Sequence, residues 1–292
     1  MAWPLDTLNE AGPILEIVVK HAREAFASEA AIAAEWRDLA FTAPPDRARA
    51  IDQSDQLIAL LSTTGAVIHR LPAAGRTTLD SIYVRDASVV TPGGMVLCHM
   101  GKPRRRGESA AQGEAFRALG IPVIGEIVPP GTIEGGDIVW IDSSTVAIGQ
   151  GYRTNADGIA QFRRLVGPSV ECITVPLPHW RGPGDVFHLM SLISPVAEDL
   201  AVVYSPLMPV PFREWLLARS VELVEVPDEE FDTMGANVLA LEPRRAVALD
   251  GNAITRARLE AAGVEVLVYD GSEISLKGGG GPTCLTRPIR RR

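Results

Sequence analysis

Residues 81–129 read SIYVRDASVVTPGGMVLCHMGKPRRRGESAAQGEAFRALGIPVIGEIVP. Two apolar runs with TPGG between them read as a hairpin, because Pro and Gly let the chain reverse between extended segments. Gly107 to Leu119 has the spacing of an amphipathic helix, and Gly120 stands where a left-handed residue closes one. A β-branched run, GIPVIGEIVP, follows at once and stops at a Pro. The unit is therefore hairpin, helix, strand.

The same unit recurs along the chain at roughly 50 residues each. Helical segments at Arg47 to Ser62, Asn155 to Leu165, Phe212 to Arg219 and Asn252 to Ala262 each run into a short extended segment. These segments are GAVIHRLP from Gly65, GPSVECITVPLP from Gly167, SVELVEVP from Ser220 and GVEVLVYD from Gly263. Hairpin patterns precede three of these helices: DIVWID-SS-TVAIGQG, DVFHLMSLISPVAEDLAVVYSPL and ANVLALE-PRR-AVALDG. The remaining hairpin must combine ILEIVV, Ile14 to Val19, with the chain end around Cys284 to Thr286, which closes a ring. One unit cannot bury its own apolar face, so five must pack about a common axis with helices outside. The expected fold is a five-fold pseudosymmetric α/β propeller of ββαβ units, with residues 1–292 as one domain. Hairpins argue against an open parallel sheet. No GxGxxG follows the first strand, no Walker sequence occurs, and the GGGG of Gly278 to Gly281 opens no helix. The first dozen residues and the RPIRRR tail carry no element in this reading and are expected to be solvated termini.

With 46% hydrophobic and 22% charged residues among 292, the chain has ample core material and is not a disordered protein. Its 36 acidic and 28 basic residues leave a net charge of -8, the wrong sign for a phosphate-neutralising surface. Nucleic acid is not an expected partner. No apolar run approaches the ~18 residues of a membrane span, and MAWPLDTLNE lacks a secretory pattern. Three cysteines, Cys98, Cys172 and Cys284, make no disulfide framework and point to a reducing, cytoplasmic setting.

In a ring of repeats, polar residues that break the apolar pattern at equivalent places converge on the axis. Asp80 and Asp86 do so in one unit, Glu134 and Asp137 in the next, His188 in the following one, and Cys284 after the Gly-rich loop. Each has an ordinary alternative: a turn former, a solvated acid, a hydrogen-bonded core histidine, a buried thiol. Cys98 and Cys172 lie in strand-like runs and are expected in the core, whereas GGGGPT before Cys284 packs poorly as core and suits a site loop. A Cys, a His and several acids fit nucleophilic catalysis with a general acid/base. Zinc is not expected, since His21, His69, His99 and His179 stand singly and no CxxC or HxxxH occurs.

The runs LDSIYVRDASVV, RRRGE, TIEGGD, YRTN, FHLMS and GGPTCLT resemble, in order, the guanidine-modifying superfamily of pentein propellers. Within it the chain is most similar to dimethylarginine dimethylaminohydrolases, with arginine deiminases next. The resemblance implies Cys284 as nucleophile, His188 as acid/base and Glu134 as its orienting acid. It further implies substrate contacts from Asp80, Asp86, Arg105 and Arg153, and a small-molecule guanidine substrate hydrolysed to citrulline without metal or organic cofactor. A homodimer is compatible with it. Two positions depart from the pattern. Arg85 replaces the Glu that dimethylargininases carry before the guanidinium-binding Asp, and Met190 replaces the clamping Asp of deiminases. An adaptable Met accommodates methyl groups but cannot pair two N–H donors. Deiminases also carry an inserted helical module that has no counterpart here. Other readings are a deiminase, an amidinotransferase and a non-enzymatic ribosome-binding relative of the same fold, the last lacking the Cys, His and EGGD set.

Overall fold

A computed structural model of the chain describes Trp3 and residues 7–185 and 187–292. The first unit contains β1 (Ile14–Val19), short helices α1 (Ala22–Ala25) and α2 (Glu29–Glu35), the long helix α3 (Arg47–Ser62) and β2 (Val67–Arg70). Next come β3 (Ser88–Thr91), β4 (Gly94–Leu97), α4 (Arg106–Ala118) and β5 (Val123–Glu126), then β6 (Ile138–Asp142), β7 (Thr145–Gln150), α5 (Ala156–Val166) and β8 (Glu171–Pro176). The fourth unit is β9 (Ile193–Ala197), β10 (Leu200–Val203), α6 (Val210–Ala218) and β11 (Glu222–Glu225). After a turn of helix α7 (Asp228–Phe231), the fifth is β12 (Leu239–Glu242), β13 (Arg245–Leu249), α8 (Ala253–Ala261) and β14 (Glu265–Tyr269), and β15 (Thr286–Arg291) ends the chain.

These strands form five three-stranded sheets, ordered β15-β1-β2, β3-β4-β5, β6-β7-β8, β11-β10-β9 and β12-β13-β14. In every sheet the central strand pairs antiparallel with one neighbour and parallel with the other. The parallel partner is the strand that returns after the helix, as a crossover connection requires. Helix-closing glycines Gly65, Gly120, Gly167 and Gly263 have φ between 70 and 81°. Ser220, at the one junction without Gly, adopts φ 60°. This is the five-unit α/β propeller expected from the repeats. Among the described residues no helix is long and apolar enough to cross a membrane.

Three expectations change. SIYVRD is not strand: Leu79–Ile82 is a 3-10 turn and extended pairing starts only at Ser88. The polar Asp80 and Arg85, both buried, need partners off the sheet, and the chain leaves extended geometry to provide them. HLMS likewise forms a 3-10 turn, Leu189–Ser191, ahead of β9. The largest correction concerns the tail. RPIRRR is not a solvated terminus but the body of β15, antiparallel to β1 from Ile14↔Arg291 to Val19↔Thr286. Cys284 lies just before this strand, not in it. Residues Leu8, Glu10 and Ala11 are buried beside it, and the amide of Arg292 donates to the carbonyl of Pro13. Met1, Ala2 and Pro4 to Asp6 lie outside the described residues.

The core is three apolar clusters between helices and sheets. Fully buried Trp140 donates its indole N–H to the carbonyl of Val90 at 3.0 Å, tying two sheets together. Cys98 is buried as expected, while Cys172 is half-buried. Ile289, 1% exposed in β15, is the test of the tail. Ile289→Ala should cost about 2–5 kcal/mol in denaturant unfolding, whereas Arg292→Ala should stay within about 0.5 kcal/mol. Equal, negligible effects would return the tail to solvent.

Candidate active site

The turn leading into the first strand of each sheet supplies a side chain to one central cluster. Asp80 and Asp86 precede β3, Glu134 precedes β6, His188 precedes β9, Asn237 precedes β12 and Cys284 precedes β15. Gly135–Asp137 forms a 3-10 turn that brings Gly136 against His188 and Asp86. A Cβ on Gly136 would stand 2.6 Å from His188 Nδ1 and 2.9 Å from Asp86 Oδ1, so no other residue fits.

His188 Nε2 lies 2.8 Å from Glu134 Oε2, and His188 Nδ1 lies 4.0 Å from Asp86 Oδ1. Glu134 has no exposed surface. It accepts the amide N–H of Lys102 at 3.0 Å on Oε1 and faces Arg153 Nη1 at 3.3 Å on Oε2. Burial opposes charge on His188, but Asp86, Asp137 and Glu134 outweigh it and raise the imidazole to about 9. Burial likewise opposes charge on Glu134, yet the His188 hydrogen bond and the charges of His188, Arg153 and Arg105 hold it well below the usual carboxylate range. The pair is an imidazolium and a carboxylate at neutral pH.

Asp86 Oδ1 accepts the Gly136 N–H at 3.0 Å and Oδ2 accepts Arg105 Nη1 at 2.6 Å. Arg105 is buried, and all three of its nitrogens serve protein acceptors. Nε and Nη2 donate to Glu108 at 2.9 and 2.8 Å, and Nη2 also reaches the carbonyls of Tyr83 and Asp80. Arg153 Nη2 donates to the carbonyl of Asp185 at 3.2 Å. Asp80 Oδ2 receives Lys102 Nζ at 2.6 Å. Asp137 accepts the Leu189 N–H at 2.9 Å, holding the His188 turn from below, and burial lifts its pKa to about 6.

Cys284 is half-buried, and its Sγ receives Asn237 Nδ2 at 3.4 Å. Asn237 Oδ1 accepts the amide and hydroxyl of Thr283 at 3.0 and 2.9 Å, which fixes the loop that carries the thiol. Burial and the Asp86 charge push the thiol pKa up, against the pull of the Asn237 and Thr283 hydrogen bonds and of Arg85. Gly279 in this loop has φ 79°, and a Cβ on Gly278 would strike the Phe41 ring at 2.7 Å. Arg85 is 1% exposed behind Cys284, where its Nε donates to the Thr283 carbonyl at 2.9 Å and its amide to the Cys284 carbonyl at 3.2 Å.

Cys284 and His188 line two connected spaces. One is a narrow cleft of about 20 Å³ bounded by Asp80, Asp86, Lys102, Arg105 and Arg153. The other, about 320 Å³, has apolar walls from Phe187, Met190, Phe231, Met234 and Leu276. All eight residues named from the sequence thus lie in or against one site. Sequence reading missed Asn237 and Lys102. Asn237 had a signal, being the polar residue at the equivalent place in ANVLALE, whereas Lys102 reads as one more base in a basic run. One ligand atom each from Asp86, Glu134 and His188 falls within 4.8 Å, but the Arg105 and Arg153 guanidiniums already balance the two carboxylates, which disfavours a metal ion there.

Comparison with known proteins agrees with this geometry. The family model for N,N dimethylarginine dimethylhydrolase, eukaryotic, matches residues 26–291. An N(G),N(G)-dimethylarginine dimethylaminohydrolase of Streptomyces coelicolor is 30% identical over 246 residues, covering 84% of this chain and 88% of its own. An arginine deiminase of Rhodococcus erythropolis is 32% identical over 191 residues, but these are 54% of this chain and only 46% of the deiminase. A citrulline complex of the Pseudomonas aeruginosa dimethylarginine dimethylaminohydrolase superposes with a TM-score of 0.77, covering 94% of this chain and 98% of that one at 23% identity. The chain belongs to the dimethylarginine dimethylaminohydrolase family of C–N hydrolases.

Proposed function

We propose that the chain hydrolyses an Nω-methylated arginine to citrulline and a methylated amine through a covalent adduct on Cys284. The observation that carries this reading is the placement of the buried Asp86 carboxylate beside the Cys284 thiol and the His188 imidazolium, with Asp80 lining the same cleft. A planar guanidinium with several N–H donors suits this arrangement, since Asp86 keeps lone pairs beyond those given to Gly136 and Arg105. The apolar wall at Met190 supports a methylated over an unmethylated guanidine.

Cys284 adds as the thiolate to the guanidinium carbon, the substrate's positive charge offsetting the raised thiol pKa. His188, held by Glu134, gives its proton to the departing amine as the C–N bond breaks and a thiouronium remains. Neutral His188 then takes a proton from water, whose oxygen bonds to the same carbon; the C–S bond breaks to release the thiolate, and the remaining O–H proton passes to solvent as citrulline forms. Because Arg105 spends its nitrogens on Glu108, Asp86 and two carbonyls, we assign it the orientation of Asp86. The substrate carboxylate goes to Arg153. Three free cysteines support a reducing, cytoplasmic setting.

Three measurements test the reading. Incubation with dimethylarginine should yield citrulline and dimethylamine, and citrulline with ammonia from arginine alone would instead make the chain a deiminase. Cys284→Ser should lower turnover by at least ~10³-fold with melting unchanged, and substantial residual activity would remove Cys284 as nucleophile. The pH profile carries a sign. A proton-donating His188 with a pKa raised to about 9 is competent at neutral pH and loses activity as pH rises through that value. Glu134→Gln removes a charge that favours imidazolium, so the alkaline limb of kcat should move roughly 1–3 units toward acid. An unmoved limb would detach Glu134 from His188.

A further inference from the structure

Among the described residues two carboxylates line the narrow cleft, Asp86 and Asp80. In the proposed function Asp86 serves the guanidinium and Arg153 the substrate carboxylate. An amino-acid substrate brings a third charge, the α-ammonium. The methylene chain holds it away from the guanidinium, so Asp86 cannot serve both, and Asp80 is the carboxylate of the cleft that remains. Asp80 is already engaged. Lys102 Nζ donates to Asp80 Oδ2 at 2.6 Å and to the carbonyl of Leu39 at 2.8 Å. Asp80 is buried, and the Lys102 side chain is only 17% exposed.

The backbone that carries this ammonium is fixed as well. Lys102 opens the 3-10 turn Pro103–Arg105, and its amide donates to Glu134 Oε1 at 3.0 Å. Gly101 before it packs so closely on Arg153 that a Cβ would stand 2.8 Å from the Arg153 backbone. An α-ammonium entering beside Asp80 would share one carboxylate with a cation already on it, and repulsion between the two ammonium groups offsets what that carboxylate offers. A carboxylate entering the same cleft meets Lys102 and Arg153 with the favourable sign. On the reading of the site given under the proposed function, on which this rests, we propose that Lys102 sets specificity at the amino-acid end of the substrate. It holds Asp80, cancels recognition of the α-ammonium and leaves the carboxylate as the group that is read. The substrate class is then the ω-guanidino carboxylic acids, with or without an α-amino group.

The test compares kcat/KM of the full chain on Nω,Nω-dimethylarginine and on its counterpart without the α-amino group, 5-(N,N-dimethylguanidino)pentanoate. The two values should agree within about threefold. Lys102→Ala frees Asp80 and keeps the backbone amide on Glu134, so the α-amino compound should then be favoured at least ~10-fold, through KM rather than kcat. Weaker carboxylate binding in that variant would affect both compounds alike and leave their ratio untouched. Lys102→Arg keeps the charge and should keep the two compounds within about threefold. Should Lys102→Ala not fold, Lys102→Gln, neutral and of similar length, should shift the ratio the same way. A preference of ~10-fold or more for dimethylarginine in the unsubstituted chain, or a ratio that stays the same in a folded neutral variant, would overturn the role of Lys102 while leaving the hydrolase reading in place. Turnover of neither compound would remove that reading, and the role of Lys102 with it.

Discussion

A carboxylate with no exposed surface stays charged in a folded protein only when its charge is balanced, and Glu134 is in that position. His188, Arg153 and the Lys102 amide all converge on it. Removing one partner from such a group typically costs about 3–5 kcal/mol, so these contacts constrain both stability and chemistry. The imidazolium that balances Glu134 is also the acid assigned to the leaving amine. Arg105 does for Asp86 what His188 does for Glu134, with Glu108 beneath it closing the chain of charges. Burial raises Glu108 to about 7 even with Arg105 bound. The site is thus a set of charges that would not remain buried separately.

Much of this was legible in the sequence because a repeat leaves redundant marks. Four of the five helix ends carry Gly in left-handed geometry, and four of the five hairpins have both strands within one local stretch. Asp80, Asp86, Glu134, His188 and Cys284 stood out as polar breaks in apolar patterns, and their equivalence by position predicted convergence. Their roles came from the family resemblance rather than from spacing.

The features that stayed hidden share one cause: the deciding partner is remote in sequence. RPIRRR looks like a solvated basic tail, since nothing local shows that Arg287 and Arg291 will be buried. Arg291 gives Nη2 to the carbonyl of Ala240 and pairs in register with Ile14. SIYVRD looks like a strand until Arg85 meets Thr283, 198 residues away. That contact also resolves the departure from the family pattern. Where the family resemblance implied a Glu on the substrate side, this chain holds a buried cation that grips the backbone presenting the thiol.

The closing strand therefore links folding to the placement of the thiol. Cys284 is placed by β15, which pairs with β1 on its C-terminal side, and by Arg85 behind it. Arg287 in β15 in turn donates to the carbonyl of Arg85. His188 and Glu134 can meet through contacts among the middle units, but the thiol joins them only when the two ends of the chain pair. Pairing across nearly the whole length costs more loop-closure entropy than any local hairpin in the fold. A ring closed by its last strand gains in return a thiol whose backbone is held on two sides, by Arg85 behind and Asn237 beside. An open chain of the same five units would retain the His188–Glu134 pair but leave the thiol on a free end.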